Sequence, residues 1–206
     1  MERVLEVYHR PYDARYPVIC MDESPNQLIG EVRAPIRTSS GEKRHDYEYK
    51  RNGTVSLFLG CEPLAGKRWV AVRDQHRTRD WIGFMLATAK RYAKAEKITV
   101  VLDNLSTHQP AKFYDFYTPQ KAQDILDRFE FVYTPPHGSW LNIAEIEINV
   151  LKGQCLNRRI ATKSTMQSEI RAWQKRRNKC SKPTNWQFTS QDARIKLKKL
   201  YPVLDH

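Results

Sequence analysis

The sequence predicts an α/β protein whose mixed β-sheet is flanked by helices, and three observations lead to that prediction. Apolar runs typical of strands come first and then alternate with segments whose apolar residues recur at helical spacing. The 206 residues are 40% hydrophobic, which is enough to bury a substantial core in one compact unit. No apolar run approaches the roughly 18 residues that a membrane span needs, and the N-terminus lacks a secretory signal pattern.

Most of the strand signals lie in the first half of the chain. Residues 18–21 form a short apolar run that ends at Asp22, and residues 54–61 and 68–73 have the composition of two further strands. The stretch between them, residues 30–53, is polar and basic and contains several turn signals. It predicts a loop or a hairpin.

The second half of the chain alternates helices with buried strands. Residues 80–94 carry apolar side chains three and four positions apart, which predicts a helix with Asp80 as its N-terminal cap. Residues 98–102 form a buried strand that ends abruptly at Asp103. Further along, the pattern predicts a strand over 130–134 and helices over 118–129, 164–178 and 190–200.

One segment, residues 145–150, is ambiguous. Its apolar and polar residues alternate with a period of two, as in a strand. The same stretch also belongs to a single helical stripe, formed by Leu141, Ala144, Ile148 and Leu151. Periodicity alone therefore allows both structures.

The positive charge of the chain is concentrated near its C-terminus. The formal net charge is +12, and residues 158–200 contain thirteen Lys and Arg against two acids. An excess this large is typical of proteins that bind nucleic acid, because neutralising phosphates releases counterions. We expect a core over residues 1–157 and a basic helical extension over residues 158–206 that packs on it.

The four cysteines show neither the paired spacing of a zinc site nor that of a redox motif. Cys20 and Cys61 lie inside strand-like apolar runs, where a cysteine behaves as a small buried hydrophobe. Reduced thiols of this kind are typical of the cytosol. We therefore expect a cytoplasmic protein with no membrane partner.

Two carboxylates share an unusual position, since Asp22 and Asp103 each close a run of four or five apolar residues. Residues just past strand ends line the crevice where α/β sheets bind ligands. Two such carboxylates side by side imply either a shared cation or a raised pKa, and Mg²⁺ or Mn²⁺ suits oxygen ligands best. Glu145 or Glu147 is the candidate third ligand, and Glu23 is less suitable because neighbouring strand positions point to opposite faces.

These residues fall in motifs that resemble a known family. Residues 101–108 (VLDNLSTH), followed by residues 133–145 (YTPPHGSWLNIAE), are similar to the catalytic core of bacterial DDE transposases of the insertion sequence 630 group, which are relatives of the mariner elements. Residues 18–23 (VICMDE) match the first acidic motif, and residues 185–197 resemble the usual C-terminal stretch of the group. The resemblance therefore spans nearly the whole chain.

The resemblance implies a ribonuclease H-like fold in which Asp22, Asp103 and Glu145 are the catalytic triad and Glu145 lies on a helix. It also implies metal-dependent DNA cleavage and strand transfer, with two Mg²⁺ or Mn²⁺ ions held by the triad. Glu147 stays an alternative third ligand, because 41 residues lie between Asp103 and Glu145, a longer gap than is usual in the wider superfamily.

The implied partner is double-stranded DNA carrying terminal inverted repeats, with a TA target, bound by a homodimer in the bacterial nucleoid. The N-terminal helix-turn-helix region of such transposases has no counterpart in the motifs above. We therefore expect a catalytic domain that works with a separate helix-turn-helix polypeptide or an upstream reading frame. The alternative is a transposase-derived DNA-binding protein without catalytic activity.

Further residues are expected to contact DNA or to orient the site. Asn104 and His108 follow the second acid and could orient a carboxylate, a water or a phosphate, although a local hydrogen bond explains His108 equally well. His137 lies in a Pro-Pro-His-Gly turn, where a substrate-facing and a structural role are both open. The basic residues expected on the DNA backbone are Arg158, Arg159, Lys175, Arg176, Arg177, Lys196, Lys198 and Lys199.

Overall fold

The computed structural model describes residues 1–196, and its centre is a five-stranded mixed sheet. The strands are β1 (Val18–Glu31), β4 (Tyr49–Glu62), β5 (Lys67–Arg73), β6 (Ile98–Leu102) and β7 (Phe129–Tyr133). They lie in the order β5-β4-β1-β6-β7, with antiparallel pairing from β5 to β1 and parallel pairing from β1 to β7. This mixed sheet confirms the predicted α/β class.

Helices cover both faces of the sheet. They are α1 (Glu2–Tyr8), α2 (Thr78–Arg91), α3 (Pro119–Leu126), α4 (Ile143–Leu151), α5 (Lys163–Cys180) and α6 (Ser190–Lys196). Side chains of α1, α4, α5 and α6 pack on one face around Cys20 and Leu57, and those of α2 and α3 pack on the other around Ile19 and Phe58. Neighbouring strand residues thus enter different cores, as the period of two requires.

The polar stretch over residues 30–53 extends the sheet instead of forming only a loop. β1 and β4 continue to pair from Gln27–Thr54 to Glu31–Tyr49, past a bulge between Gln27 and Ile29. A short hairpin of β2 (Ile36–Arg37) and β3 (Lys43–Arg44) follows, which confirms part of the hairpin prediction. β4 exceeds its apolar run because backbone hydrogen bonds continue through residues 49–54, which are exposed on both faces.

Several predicted boundaries are corrected. Asp80 is not the cap of α2: the helix begins at Thr78, and the Asp80 carboxylate accepts a hydrogen bond from the backbone N–H of Arg77 at 3.1 Å. The ambiguous segment is helical, because Ile148 and its stripe partners enter the core as α4. The predicted helix over 190–200 is described only as far as Lys196.

The basic helix α5 covers the edge of the sheet. Met166, Ile170 and Trp173 enter the same core as β4 and β1. Polar side chains of α5 also bind the outer strand: Asn178 accepts from the backbone N–H of Arg68 at 3.0 Å and donates to its carbonyl at 2.8 Å. A covered edge cannot pair with another chain. In the described residues no helix is long and apolar enough to cross a membrane.

A cluster around Glu130 on β7 predicts an acid-sensitive contribution to stability. Glu130 accepts hydrogen bonds from Arg10 at 2.9 Å and from the Thr99 hydroxyl at 2.8 Å, and these bonds hold its pKa at about 2, even though partial burial opposes the shift. A carboxyl whose pKa is lowered on folding stabilises the protein above its unfolded pKa, about 4.3, and loses that effect as the pH falls towards 2.

We therefore expect Glu130→Gln to lower the free energy of unfolding by about 1 kcal/mol at pH 7. Urea unfolding at pH 7 and at pH 3 measures this difference, and the difference should shrink at pH 3. A difference that stays constant between the two pH values would contradict the assignment.

Candidate functional site

The register of two strands brings Asp22 and Asp103 to the same level of the sheet. β1 and β6 pair in parallel through Val18–Thr99, Ile19–Val100 and Cys20–Val101. The same register, continued, places Asp22 beside Asp103, two residues past the last pair. The sequence pattern predicts that Asp22 follows the end of its strand, and the structure corrects this prediction. Asp22 lies within β1, at the point where β6 ends and β1 continues beside β4 alone.

The electrostatics around Asp22 indicate that the acids are close together. Burial, together with the negative charges of Asp103 and Glu145, raises the pKa of Asp22 to about 6, while the backbone N–H of Glu23, 2.8 Å from Oδ1, acts against the shift. Asp103 and Glu145 are themselves only partly exposed. Like charges that are brought together in this way favour binding of a cation.

The two glutamates of α4 have different surroundings. Glu145 lies in the first turn of the helix and acts electrostatically on Asp22. Glu147 is buried and paired with two arginines: Arg68 Nε lies 3.0 Å from Oε2, and Arg177 Nη2 lies 3.2 Å from Oε1. Residues two apart on a helix do not share a face. These contacts favour Glu145 over the alternative Glu147 as the third acid.

His108 is fully buried and lies between two carboxylates. Its Nδ1 is 2.7 Å from Asp103 Oδ1, its Nε2 is 3.7 Å from Glu23 Oε2, and the Trp81 ring stacks on it with centroids 5.6 Å apart. Burial lowers the pKa of His108, but the hydrogen bond to Asp103 and the negative charges of Asp103 and Glu23 outweigh burial and raise it to about 9. The histidine is therefore charged at neutral pH and binds Asp103 as a cation.

Glu23 has a place at the site that the sequence does not reveal. It points to the opposite face from Asp22, as its neighbouring position in the strand predicts, and so meets His108 instead of the other acids. Its Oε2 is buried and has no hydrogen-bond partner among the described residues. Contact with a histidine 85 positions further along the chain leaves no local signal in the sequence.

The donor chemistry of the site fits a hard divalent cation. Asp22, Asp103 and Glu145 offer carboxylate oxygens, the ligands that Mg²⁺ and Mn²⁺ prefer. Within residues 1–196, however, no three His, Cys, Asp or Glu side chains are close enough together to hold a metal ion as they stand. One oxygen of Asp22 accepts a hydrogen bond from the backbone N–H of Glu23, and one oxygen of Asp103 is hydrogen-bonded to His108. A complete ligand set therefore requires the carboxylates to turn towards one another.

The residues expected near the acids differ in their exposure. Asn104 is exposed, and its side-chain oxygen accepts a hydrogen bond from Gln109 at 2.9 Å. His137 is exposed and has a φ of 58°, a left-handed conformation that is rare outside glycine and marks a tight turn. Asn142 precedes α4, and an Asn three residues before a Glu is typical of a helix start, so the sequence contains a signal for this residue.

The predicted DNA-binding cations divide into paired and exposed groups. Arg177 binds Glu147, Arg159 binds Glu31 at 2.5 Å, and Arg158 binds Glu169 at 2.5 Å. Arg158 stays exposed in its pair, and Lys175, Arg176 and Lys196 are exposed as well. Lys198 and Lys199 lie outside the described residues. The charge that is free to meet phosphates is thus smaller than the sequence count indicates.

The chain was compared with known protein families and structures. Residues 17–167 match the model of the DDE superfamily endonuclease family. The Mos1 mariner paired end complex with Mn has a TM-score of 0.53 at 14% identity, over 85% of this chain and 52% of that chain. The Mos1 transposase paired-end complex with left transposon end has a TM-score of 0.48 at 11% identity, over 87% of this chain and 60% of that chain.

The likeness to the Mos1 mariner paired end complex with Mn shows a shared fold, and it confirms the expected ribonuclease H-like architecture. The chain spans about half the length of that Mos1 chain. A search of curated proteins found no match.

The two glutamates of α4 allow a matched stability test. Glu147→Gln leaves Arg68 buried with a weakened partner, and we expect it to lower the free energy of unfolding by about 3 kcal/mol. Glu145→Gln removes a charge that repels Asp22, so it should leave stability unchanged or slightly raised. Urea unfolding of both variants without metal measures the contrast, and equal losses would contradict the assigned surroundings.

Asp22 itself should cost stability when it is ionised without metal. Its folded pKa of about 6 lies above the unfolded value of about 3.9, so the charged form destabilises the fold above pH 6. We expect Asp22→Asn to raise the free energy of unfolding by about 2 kcal/mol at pH 8 and by much less at pH 4. Thermal unfolding in a chelator at both pH values tests this, and a loss of stability at pH 8 would disprove it.

Proposed function

Because the chain belongs to the DDE superfamily endonuclease family, we propose that it is the catalytic domain of an insertion sequence 630-type transposase, which cuts DNA at transposon ends and transfers the cut strands. The observation that carries this proposal is the convergence of Asp103 and Glu145 on Asp22, where β6 ends beside β1. The Mos1 mariner paired end complex with Mn, named above, supports a divalent cation and a transposon-end substrate here.

In this proposal Asp22, Asp103 and Glu145 hold two divalent cations, either Mg²⁺ or Mn²⁺. Such ions activate the attacking oxygen and stabilise the leaving 3′-oxygen when they are bound. Water attacks the phosphorus in the cleavage step, the P–O3′ bond breaks, and the 3′-oxygen takes up a proton. In strand transfer the freed 3′-hydroxyl attacks a phosphorus of the target strand, the P–O3′ bond there breaks, and the departing 3′-oxygen takes up a proton in place of the one that the attacking hydroxyl loses.

The remaining side chains position the reactants. His108 donates a hydrogen bond to Asp103 and fixes one of its oxygens, while the other oxygen stays available as a ligand. Lys175, Arg176 and Lys196, with Lys198 and Lys199 of the C-terminal extension, bind the DNA backbone electrostatically. Asn104 and His137 lie on exposed loops that can reach a phosphate.

The wider assembly completes the proposal. Terminal inverted repeats and a TA target are the DNA elements, a homodimer is the active assembly, and a separate helix-turn-helix polypeptide or upstream reading frame finds the ends. A cytoplasmic protein bound to the bacterial nucleoid and built from a core over residues 1–157 with a basic extension over residues 158–206 fits these roles.

A nicking assay on supercoiled plasmid tests the activity. We expect nicks with Mn²⁺ or Mg²⁺ and none with a chelator, and we expect Asp103→Asn and Glu145→Gln each to lower the rate by at least about 100-fold, the scale on which essential electrostatic groups act. Asp74→Asn is the matched control, because Asp74 is an exposed acid paired with Lys163. The control should cut at the wild-type rate.

Three outcomes would overturn the proposal. Nicking that survives in Asp103→Asn, or that needs no metal, would point to another site or a contaminant. DNA binding without cleavage in either metal would favour the catalytically inactive DNA-binding protein instead.

A further inference from the structure

The start of helix α4 is held by a buried asparagine with two hydrogen bonds. Asn142 is 2% exposed, and its Oδ1 accepts from the backbone N–H of Ala144 at 3.1 Å, which caps the helix. Its Nδ2 donates to the backbone carbonyl of Met21 at 2.8 Å. The first bond is an ordinary N-cap, which serine would also provide. The second bond needs the amide group.

The hydrogen bond from Asn142 to Met21 links the two chain segments that carry Asp22 and Glu145, two of the proposed metal ligands. Met21 immediately precedes Asp22, and Glu145 follows Asn142 by three residues, in the first turn of α4. One side chain therefore ties the backbone beside the first acid to the helix that carries the third. Met21 also lies one residue past the last pair of β1 with β6, where that pairing no longer holds the strand.

Tyr8 of α1 supports the same segment from another side. Its buried hydroxyl donates to the carbonyl of Leu141 at 2.7 Å and accepts from the backbone N–H of Ile143 at 3.4 Å. The residues on both sides of Asn142 are thus fixed by one phenol group. Because Tyr8 precedes residues 17–167, this support comes from outside the part that matches the family model.

We propose that Asn142, assisted by Tyr8, is a positioning residue that sets the distance between Asp22 and Glu145 and thereby the affinity of the site for a divalent cation. The inference rests on the proposed function in one respect, namely that these acids are the ligands. Asn142 itself touches neither metal nor DNA in this role. It acts through the backbone at Met21 and through the first turn of α4.

The test compares Asn142→Ser with a matched cap variant. Serine keeps the cap on α4 and loses the bond to Met21. The control is Thr162→Ala, which removes the N-cap of α5, where Thr162 accepts from the backbone N–H of Thr165 at 3.2 Å, with none of the three acids on that helix. Tyr8→Phe is the second variant and removes one hydroxyl, so the test survives if Asn142→Ser fails to fold.

The first readout is Mn²⁺ binding by the full chain without DNA, followed by electron paramagnetic resonance and by the metal-induced rise in Tm. We expect Asn142→Ser to weaken Mn²⁺ binding at least about tenfold and Tyr8→Phe about threefold, while Thr162→Ala binds as the wild type does. The second readout is nicking, in which Asn142→Ser should need at least about tenfold more Mn²⁺ for its half-maximal rate. Excess Mn²⁺ should restore most of that rate.

Failure of this inference is distinguishable from failure of the proposed function. Equal Mn²⁺ affinity in Asn142→Ser and Thr162→Ala would assign Asn142 to helix capping alone and overturn the inference, even if the wild type cuts DNA. A wild type that binds no Mn²⁺ would overturn it as well. If the wild type binds Mn²⁺ but cuts no DNA, the proposed function fails, while weaker binding by Asn142→Ser supports the positioning role.

Discussion

The parallel pairing of β1 with β6 is the constraint on which the site depends. Three residue pairs, ending at Cys20–Val101, fix the register that puts Asp22 level with Asp103. A slip of one residue would turn Asp22 to the other face of the sheet, towards α2. The apolar residues of each strand prevent such a slip, because alternate positions are committed to two different cores.

The fold holds the three acids together despite the repulsion between their charges. Bringing a buried carboxylate near two other acids is unfavourable, as the raised pKa of Asp22 shows. Charged His108 offsets part of this cost by binding Asp103 and facing Glu23. The second acid is thus held by a cation of the protein itself, while Asp22 and Glu145 carry the repulsion that a bound cation would relieve.

The basic helix α5 has two roles that its composition alone does not separate. Its apolar stripe and its amides complete the core and cover β5, and Arg177 shares the buried carboxylate of Glu147 with Arg68. Only the outward cations, among them Lys175 and Arg176, remain free to meet phosphates. A charge count over the sequence therefore overstates the surface available to DNA.

The sequence by itself determined the α/β class and the strands that carry or precede the two aspartates, because these follow from local apolar patterns. It could not decide between strand and helix for residues 145–150, since both periods fit. Only the tertiary structure separated Glu145 from Glu147, brought Glu23 to His108 and joined Asn142 to Met21. Each of these outcomes depends on contacts between residues far apart in the chain, and such contacts leave no periodic trace in a single sequence.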